Sequence, residues 1–131
     1  MTLPLWTLLV ASLLPYVWTA LGGLHRKREF GGLDNHYPRR QQAQQTGTGA
    51  RAHAASQNSF EALAVYAPAV LVAHLLAPTS ELASPLALAW VAFRVGHGVF
   101  YVTDKASARG VCFGLGTACS VLLYLVAAHI L

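Results

Sequence analysis

The chain has 131 residues, 55% of them hydrophobic and only 11% charged, with a formal net charge of +4. That charge fraction is less than half of the roughly 25% usual in soluble domains, which excludes an ordinary water-soluble globule. The basic residues form no patch interleaved with aromatics, so the positive excess does not describe a nucleic-acid surface.

Residues 3–24 make the first apolar run, near the roughly 20 residues that a helix needs to cross hydrocarbon. No Lys or Arg precedes Leu3 and no clear A-x-A site follows. These features favour a retained span over a cleaved signal peptide. Pro4 and Pro15 lie within the run, and Trp6, Tyr16 and Trp18 suit interfacial anchoring or contact with neighbouring helices. Gly22-Gly23 closes the run, and Arg26-Lys27-Arg28 marks its polar edge.

A polar connection follows, over about 25–52. Gly31-Gly32 and Asp34-Asn35-His36-Tyr37-Pro38 are turn signals, and Thr46-Gly47-Thr48-Gly49 reads as flexible. A loop longer than about 15 residues is usually either functional or disordered. Helical patterning resumes at Arg51. Arg51, Asn58 and Glu61 fall on one face at the mouth of a second apolar span, about 56–77, in which Pro68 predicts a kink.

The third span, 82–102, carries Arg94, His97 and Tyr101 at i, i+3, i+7, one stripe of a helix. A charged residue in hydrocarbon costs about 2.5–3.5 kcal/mol on insertion scales, so Arg94 should face a partner or a polar cavity. With the boundary near Gln57 and Val102, Glu61 lies about 6 Å deep and Arg94 about 12 Å deep, at 1.5 Å per residue. Arg94 and Glu61 are long enough to bridge that offset if their helices are neighbours. The fourth span, 110–131, holds Cys112 and Cys119, about 10 Å apart along one helix, too far to pair.

Four spans fill the chain and predict an all-α integral membrane four-helix bundle of up-down topology, a single domain over 1–131. Arg26, Lys27, Arg28, Arg39, Arg40 and Arg51 lie in the first connection, and Lys105 and Arg109 in the third. The second, around Pro78–Pro85, has Glu81 and no cation. The positive-inside rule then predicts both basic loops in the cytoplasm and both termini outside. The Ala-rich composition fits a bacterial inner membrane. No His pair sits at i, i+4, so no metal site is expected. The Gly-rich Thr46–Gly49 segment lacks a phosphate-loop Lys, so no nucleotide is expected either.

The Asn58-Ser59-Phe60-Glu61 mouth and Arg94-x-x-His97-x-x-x-Tyr101, in their order and placement on four spans, resemble the membrane-associated proteins in eicosanoid and glutathione metabolism, the MAPEG family. The segments Asp34-Asn35-x-x-Pro38-Arg39 and Gln57–Ala62 are most similar to bacterial members of unassigned activity. The resemblance implies a homotrimer with glutathione as cosubstrate, bound between subunits on the cytoplasmic side. Arg51, Asn58, Glu61, Arg94 and His97 would hold or organise it. Tyr101 would line the pocket, and Arg109 would stabilise the thiolate while a lipophilic small molecule arrives from membrane lipid. One departure stands out: Ala54 occupies a position where relatives carry a carboxylate-gripping arginine.

Each residue also has a plainer reading. Arg94 could tie helices together, His97 could be a hydrogen-bonded core residue, Tyr101 an aromatic-belt residue and Arg109 a topology determinant. The leading expectation that the resemblance implies is a glutathione-dependent transferase or peroxidase acting on lipophilic electrophiles. Its alternative is a non-enzymatic membrane scaffold that binds another acidic small molecule or lipid. A proton-coupled exporter is disfavoured, because the first span contains no acid.

Overall fold

In hydrocarbon a lone segment can satisfy its backbone only as a helix, and all four apolar runs adopt that form. The computed structural model describes residues 1–131 and contains α1 (Leu3–Phe30), α2 (Pro38–Gln44), α3 (Gly47–Leu76), α4 (Ala83–Val102) and α5 (Ala106–Ala127). α2 is a short surface helix, and the other four are long and apolar enough to cross a membrane.

Two of them outrun their spans. α1 has 28 residues and α3 has 30, each over 40 Å at about 1.5 Å per residue against a hydrocarbon core of about 30 Å. α1 continues six residues past the expected end at Leu24, and α3 begins at Gly47 rather than near Arg51. Hydropathy marks where lipid ends; the backbone ladder continues until a residue breaks it. In α1 that residue is Gly31, at φ 73°, just after Lys27 and Arg28 have placed cations at the negative end of the helix dipole.

The long connection, whose Thr46–Gly49 end reads as flexible, is clamped. The Asp34 carboxylate accepts the backbone N–H groups of His36 and Tyr37, both at 2.9 Å, and Pro38 then opens α2. Glu29 accepts the Thr46 hydroxyl at 2.7 Å and its N–H at 3.1 Å. The buried Gln45 amide donates to the Gly22 carbonyl at 2.8 Å and fills the space that a side chain on Gly49 would need.

α3 is the hub, packing on α1, α4 and α5, while α4 lies along α5 and touches α1. The C-terminal ends of α1 and α4 meet the N-terminal ends of α3 and α5, so the helices alternate in direction. Tyr66 of α3, fully buried, stacks on Trp90 of α4 with centroids 3.7 Å apart and planes 8° from parallel. The Thr7 hydroxyl of α1 donates to the Pro4 carbonyl at 2.6 Å, which leaves its lone pair to accept the Tyr66 proton at 2.6 Å. Small residues (Ala11, Ala69, Ala73, Ala83 and Ala87) surround this centre and let the helices approach closely. Cys119 and Leu123 of α5 complete it.

Nearer the basic end, the Trp18 indole occupies the place where a Gly98 side chain would stand, so α1 closes onto α4. Leu9, Val10, Leu13 and Val17 of α1 point outward. In a membrane that is the side facing hydrocarbon or a second copy.

Two substitutions test this packing in detergent by thermal unfolding. Gly98→Ala overpacks against Trp18 and should cost about 1–3 kcal/mol; an unchanged midpoint would mean that α1 and α4 stand further apart. Tyr66→Phe keeps the stack and loses the Thr7 contact, so it should cost only about 0.5–1.5 kcal/mol. Tyr66→Ala should cost about 3–5 kcal/mol.

Candidate functional site

Arg94 is the largest fully enclosed side chain in the bundle, 2% exposed. A buried guanidinium must find acceptors, and α3 provides them. One terminal nitrogen, Nη2, donates to the Asn58 side-chain oxygen at 2.7 Å and to the Asn58 backbone carbonyl at 3.1 Å. The Arg94–Glu61 bridge that their depths allow is not formed: the chain's one ion pair is Arg51–Asp104. Asn58 comes between the two charges instead, its Nδ2 donating to Glu61 Oε2 at 3.3 Å. The reason lies in the amide group, which has an acceptor on one side and donors on the other. Facing a guanidinium and a carboxylate, it links them as Arg94–Asn58–Glu61.

Arg51 sits apart from this chain. Its Nε donates to the Val102 carbonyl at 3.1 Å, Nη2 to the Thr48 hydroxyl at 3.2 Å, and Nη1 lies 3.8 Å from exposed Asp104. It fastens α3 to the α4–α5 turn. Asp104 has φ 61° in that turn, which reverses the chain so that Arg109 enters α5 close to Tyr101.

The remaining candidates come together. A cavity of about 290 Å³ at the basic end is lined by Asn58, His97, Tyr101, Arg109, Gly110 and Phe113. The Arg109 guanidinium carbon lies 4.2 Å from the centre of the Tyr101 ring, a cation–π arrangement that holds a long side chain in place. His97 meets Tyr101 edge-on, with centroids 5.6 Å apart and planes at 71°, and stands 6.2 Å from the Phe113 ring. Arg94 Nε and His97 Nδ1 are buried without hydrogen-bond partners. Such orphaned groups each cost about 1–3 kcal/mol, a cost that a polar ligand or water can offset.

A second cavity of about 260 Å³ runs deeper between α3, α4 and α5, bounded by Glu61, Val65, Trp90, Arg94, Phe113 and Thr117. Its lining is mainly apolar with Glu61 and Arg94 at its polar edge. Phe113 lines both cavities. Sequence reasoning passed over Phe113, Thr117 and Ser120, although their i, i+4, i+7 spacing puts them on one stripe of α5 facing the Arg94 stripe of α4. Ala54, one turn before Asn58, is half-buried and brings no charge to the mouth.

A polar mouth with a fixed cation, backed by an apolar recess, suits a ligand that is anionic at one end and oily at the other. Four of the seven predicted site residues (Asn58, His97, Tyr101 and Arg109) share the mouth, while Arg94 and Glu61 border the recess behind it.

Comparison with known proteins gives one match. A protein-family model described as the MAPEG family covers residues 3–129. No curated protein and no solved structure matches the chain significantly. A match over nearly the whole length, on four membrane-crossing helices, leads to one conclusion: the chain is an integral, multi-pass membrane protein that belongs to the MAPEG family.

Proposed function

We propose that the chain is a glutathione-dependent transferase or peroxidase acting on lipophilic electrophiles, with its basic end in the cytoplasm and both termini outside, in a bacterial inner membrane. The observation that carries this reading is the Arg109 guanidinium, fixed 4.2 Å over Tyr101 in the same cavity as His97 and Asn58. A thiol beside a held cation ionises more readily, and the thiolate is the nucleophile. In the transferase reaction the thiol proton is released as the sulfur approaches Arg109. The sulfur then bonds to an electrophilic carbon, and a leaving group departs or the adduct takes up a proton. The apolar recess bounded by Val65, Trp90 and Phe113 would receive the electrophile.

The fit to the tripeptide is partial and specific. Asn58 already spends its amide on Arg94 and Glu61, so it acts as a positioning residue. Glu61 Oε1 makes no hydrogen bond within the chain and suits an ammonium group, while Arg94 Nε and His97 Nδ1 suit polar atoms of the ligand. Ala54 supplies nothing for a carboxylate. A homotrimer would supply more, since Gln57 and Glu61 are exposed on α3 within the bundle's apolar exterior and call for cover by a second copy.

Ala54 also motivates the second reading, a scaffold without catalytic activity that binds another acidic small molecule or lipid.

Calorimetric titration of glutathione into the detergent-solubilised protein separates the two. Saturable binding should weaken about 10–150-fold in Arg109→Ala, the equivalent of one charge-assisted contact of about 1.5–3 kcal/mol. Binding that Arg109→Ala leaves untouched would sink the thiolate assignment. Asn58→Ala should weaken glutathione and also lower the unfolding midpoint, because it strips Arg94 of its side-chain acceptor. If the wild type binds no glutathione and Ala54→Arg gains it, the scaffold reading takes over.

A further inference from the structure

The walls that α4 and α5 give to the two cavities descend in step. On α4, Tyr101, His97, Arg94 and Trp90 are spaced by four, three and four residues, one face of the helix. On α5, Arg109, Phe113, Thr117 and Ser120 are spaced by four, four and three, and line the same cavities. Because α4 runs toward the basic end and α5 away from it, the two stripes pair level by level. Arg109 lies on Tyr101 at the mouth, and Phe113 stands beside His97 one turn deeper. Trp90 and Ser120 bound the far end of the recess.

The second level is a constriction. His97 lines the mouth and not the recess, Arg94 lines the recess and not the mouth, and Phe113 is the one residue common to both. The His97 and Phe113 ring centres are 6.2 Å apart with planes at 48°, within the range of about 4.5–7 Å at which aromatic pairs touch. The rings therefore close the way between the cavities, but they are held differently. His97 is 2% exposed and braced edge-on by Tyr101. Phe113 is 47% exposed, and a Cβ added at Gly110 or Gly114 beside it would meet nothing within 4 Å. Its ring has room to swing between the two χ1 wells that a helix favours, about 180° and −60°. The cavities also open to different surroundings. The mouth lies at the polar, basic end, whereas Val65 and Phe113 are exposed at the flank of the recess, within the apolar spans.

We propose that Phe113 is the specificity-determining residue of this site, a movable partition past which a lipophile lodged in the recess reaches the thiolate in the mouth. The inference rests on the glutathione reading of the mouth. It assigns a shape to the electrophile: an unbranched chain with its reactive carbon at a slender end, because only such an end passes between the Phe113 ring and the fixed His97. A group as broad as the recess itself stays behind the ring. The two reactants come from different solvents, so one side chain decides which of them meet.

The test compares two alkyl vinyl ketones that share a reacting group, one with a linear heptyl chain and the other with an adamantyl cage. In both, the glutathione sulfur bonds to the terminal vinyl carbon and the alkene pair moves onto the carbonyl oxygen. The resulting enolate then takes up, at its α carbon, the proton that the thiol gave up. Rates for the purified full chain in detergent are corrected for the uncatalysed addition, and glutathione is titrated calorimetrically beside them. The wild type should favour the linear ketone in kcat/KM by about 10-fold or more. Phe113→Ala should gain on the caged ketone and bring the ratio within about 2-fold, whereas Phe113→Tyr should keep the wild-type ratio. Leu115→Ala, at an exposed position of α5 that lines neither cavity, should keep it too. With glutathione still bound, an unchanged ratio in Phe113→Ala, no preference in the wild type, or turnover of neither ketone would overturn the partition and leave the thiol site standing. So would a Phe113→Ala variant whose sole defect is weaker glutathione binding, since that makes Phe113 a wall of the mouth alone. A wild type that binds no glutathione would instead remove the reading of the mouth, and this proposal with it.

Discussion

The cost of burying one guanidinium organises the basic half of this bundle. Arg94 can sit inside a stack of apolar helices only because α3 presents two oxygens of one residue, Asn58, within 3.1 Å of its Nη2 atom. That demand fixes the height of α4 against α3, because a shift of one helical turn, about 5.4 Å, would strand the charge. It also draws in α5. Gly116 lies so near the Arg94 stem that an added Cβ would stand 3.4 Å from its Cδ, so a small residue there lets α5 close over the aliphatic part of the side chain. With Asn58 held by Arg94, its free amide side turns to Glu61 and sets the carboxylate at the edge of the inner recess.

Three arginines on this side of the molecule have different tasks because their surroundings differ in water content and in available acceptors. Arg51 is part-exposed and links elements through a carbonyl, a hydroxyl and a loosely held aspartate. Arg94 is dry and serves the interior. Arg109 is half-buried and is the one whose charge rests on a ring face beside open space. The same side chain is thus fastener in Arg51, keystone in Arg94 and cavity-facing cation in Arg109.

The number of spans, their helical nature and their alternating course were legible in the sequence, because hydropathy and the placement of cations report directly on the solvent that each segment meets. The grouping of His97 and Tyr101 was legible too, since i, i+4 neighbours on a helix must share a face. The joining of Arg94 to Glu61 was not. Spacing gives depth to within a few ångströms, but whether two charges touch depends on which side chain stands between them, and here Asn58 does. The length of α1 and α3 was also hidden: nothing in a hydropathy scan marks a helix end in water, whereas Gly31 and the Glu29–Thr46 clamp do. Phe113, Thr117 and Ser120 escaped notice because the two hydroxyls bond carbonyls of their own helix, and such a stripe reads the same whether it faces lipid or a cavity.

The aromatic stack at the centre has a consequence for traffic through the protein. Tyr66 and Trp90 lie face to face at mid-bundle, and Val70, Leu123 and Val126 are buried with them. No cavity is lined by Tyr66, Val70, Leu123 or Val126, so this layer closes the recess beside Arg94 from the opposite end of the bundle. Open space beside Arg94 therefore borders the basic half of the bundle and its flank, and does not run on through the stack.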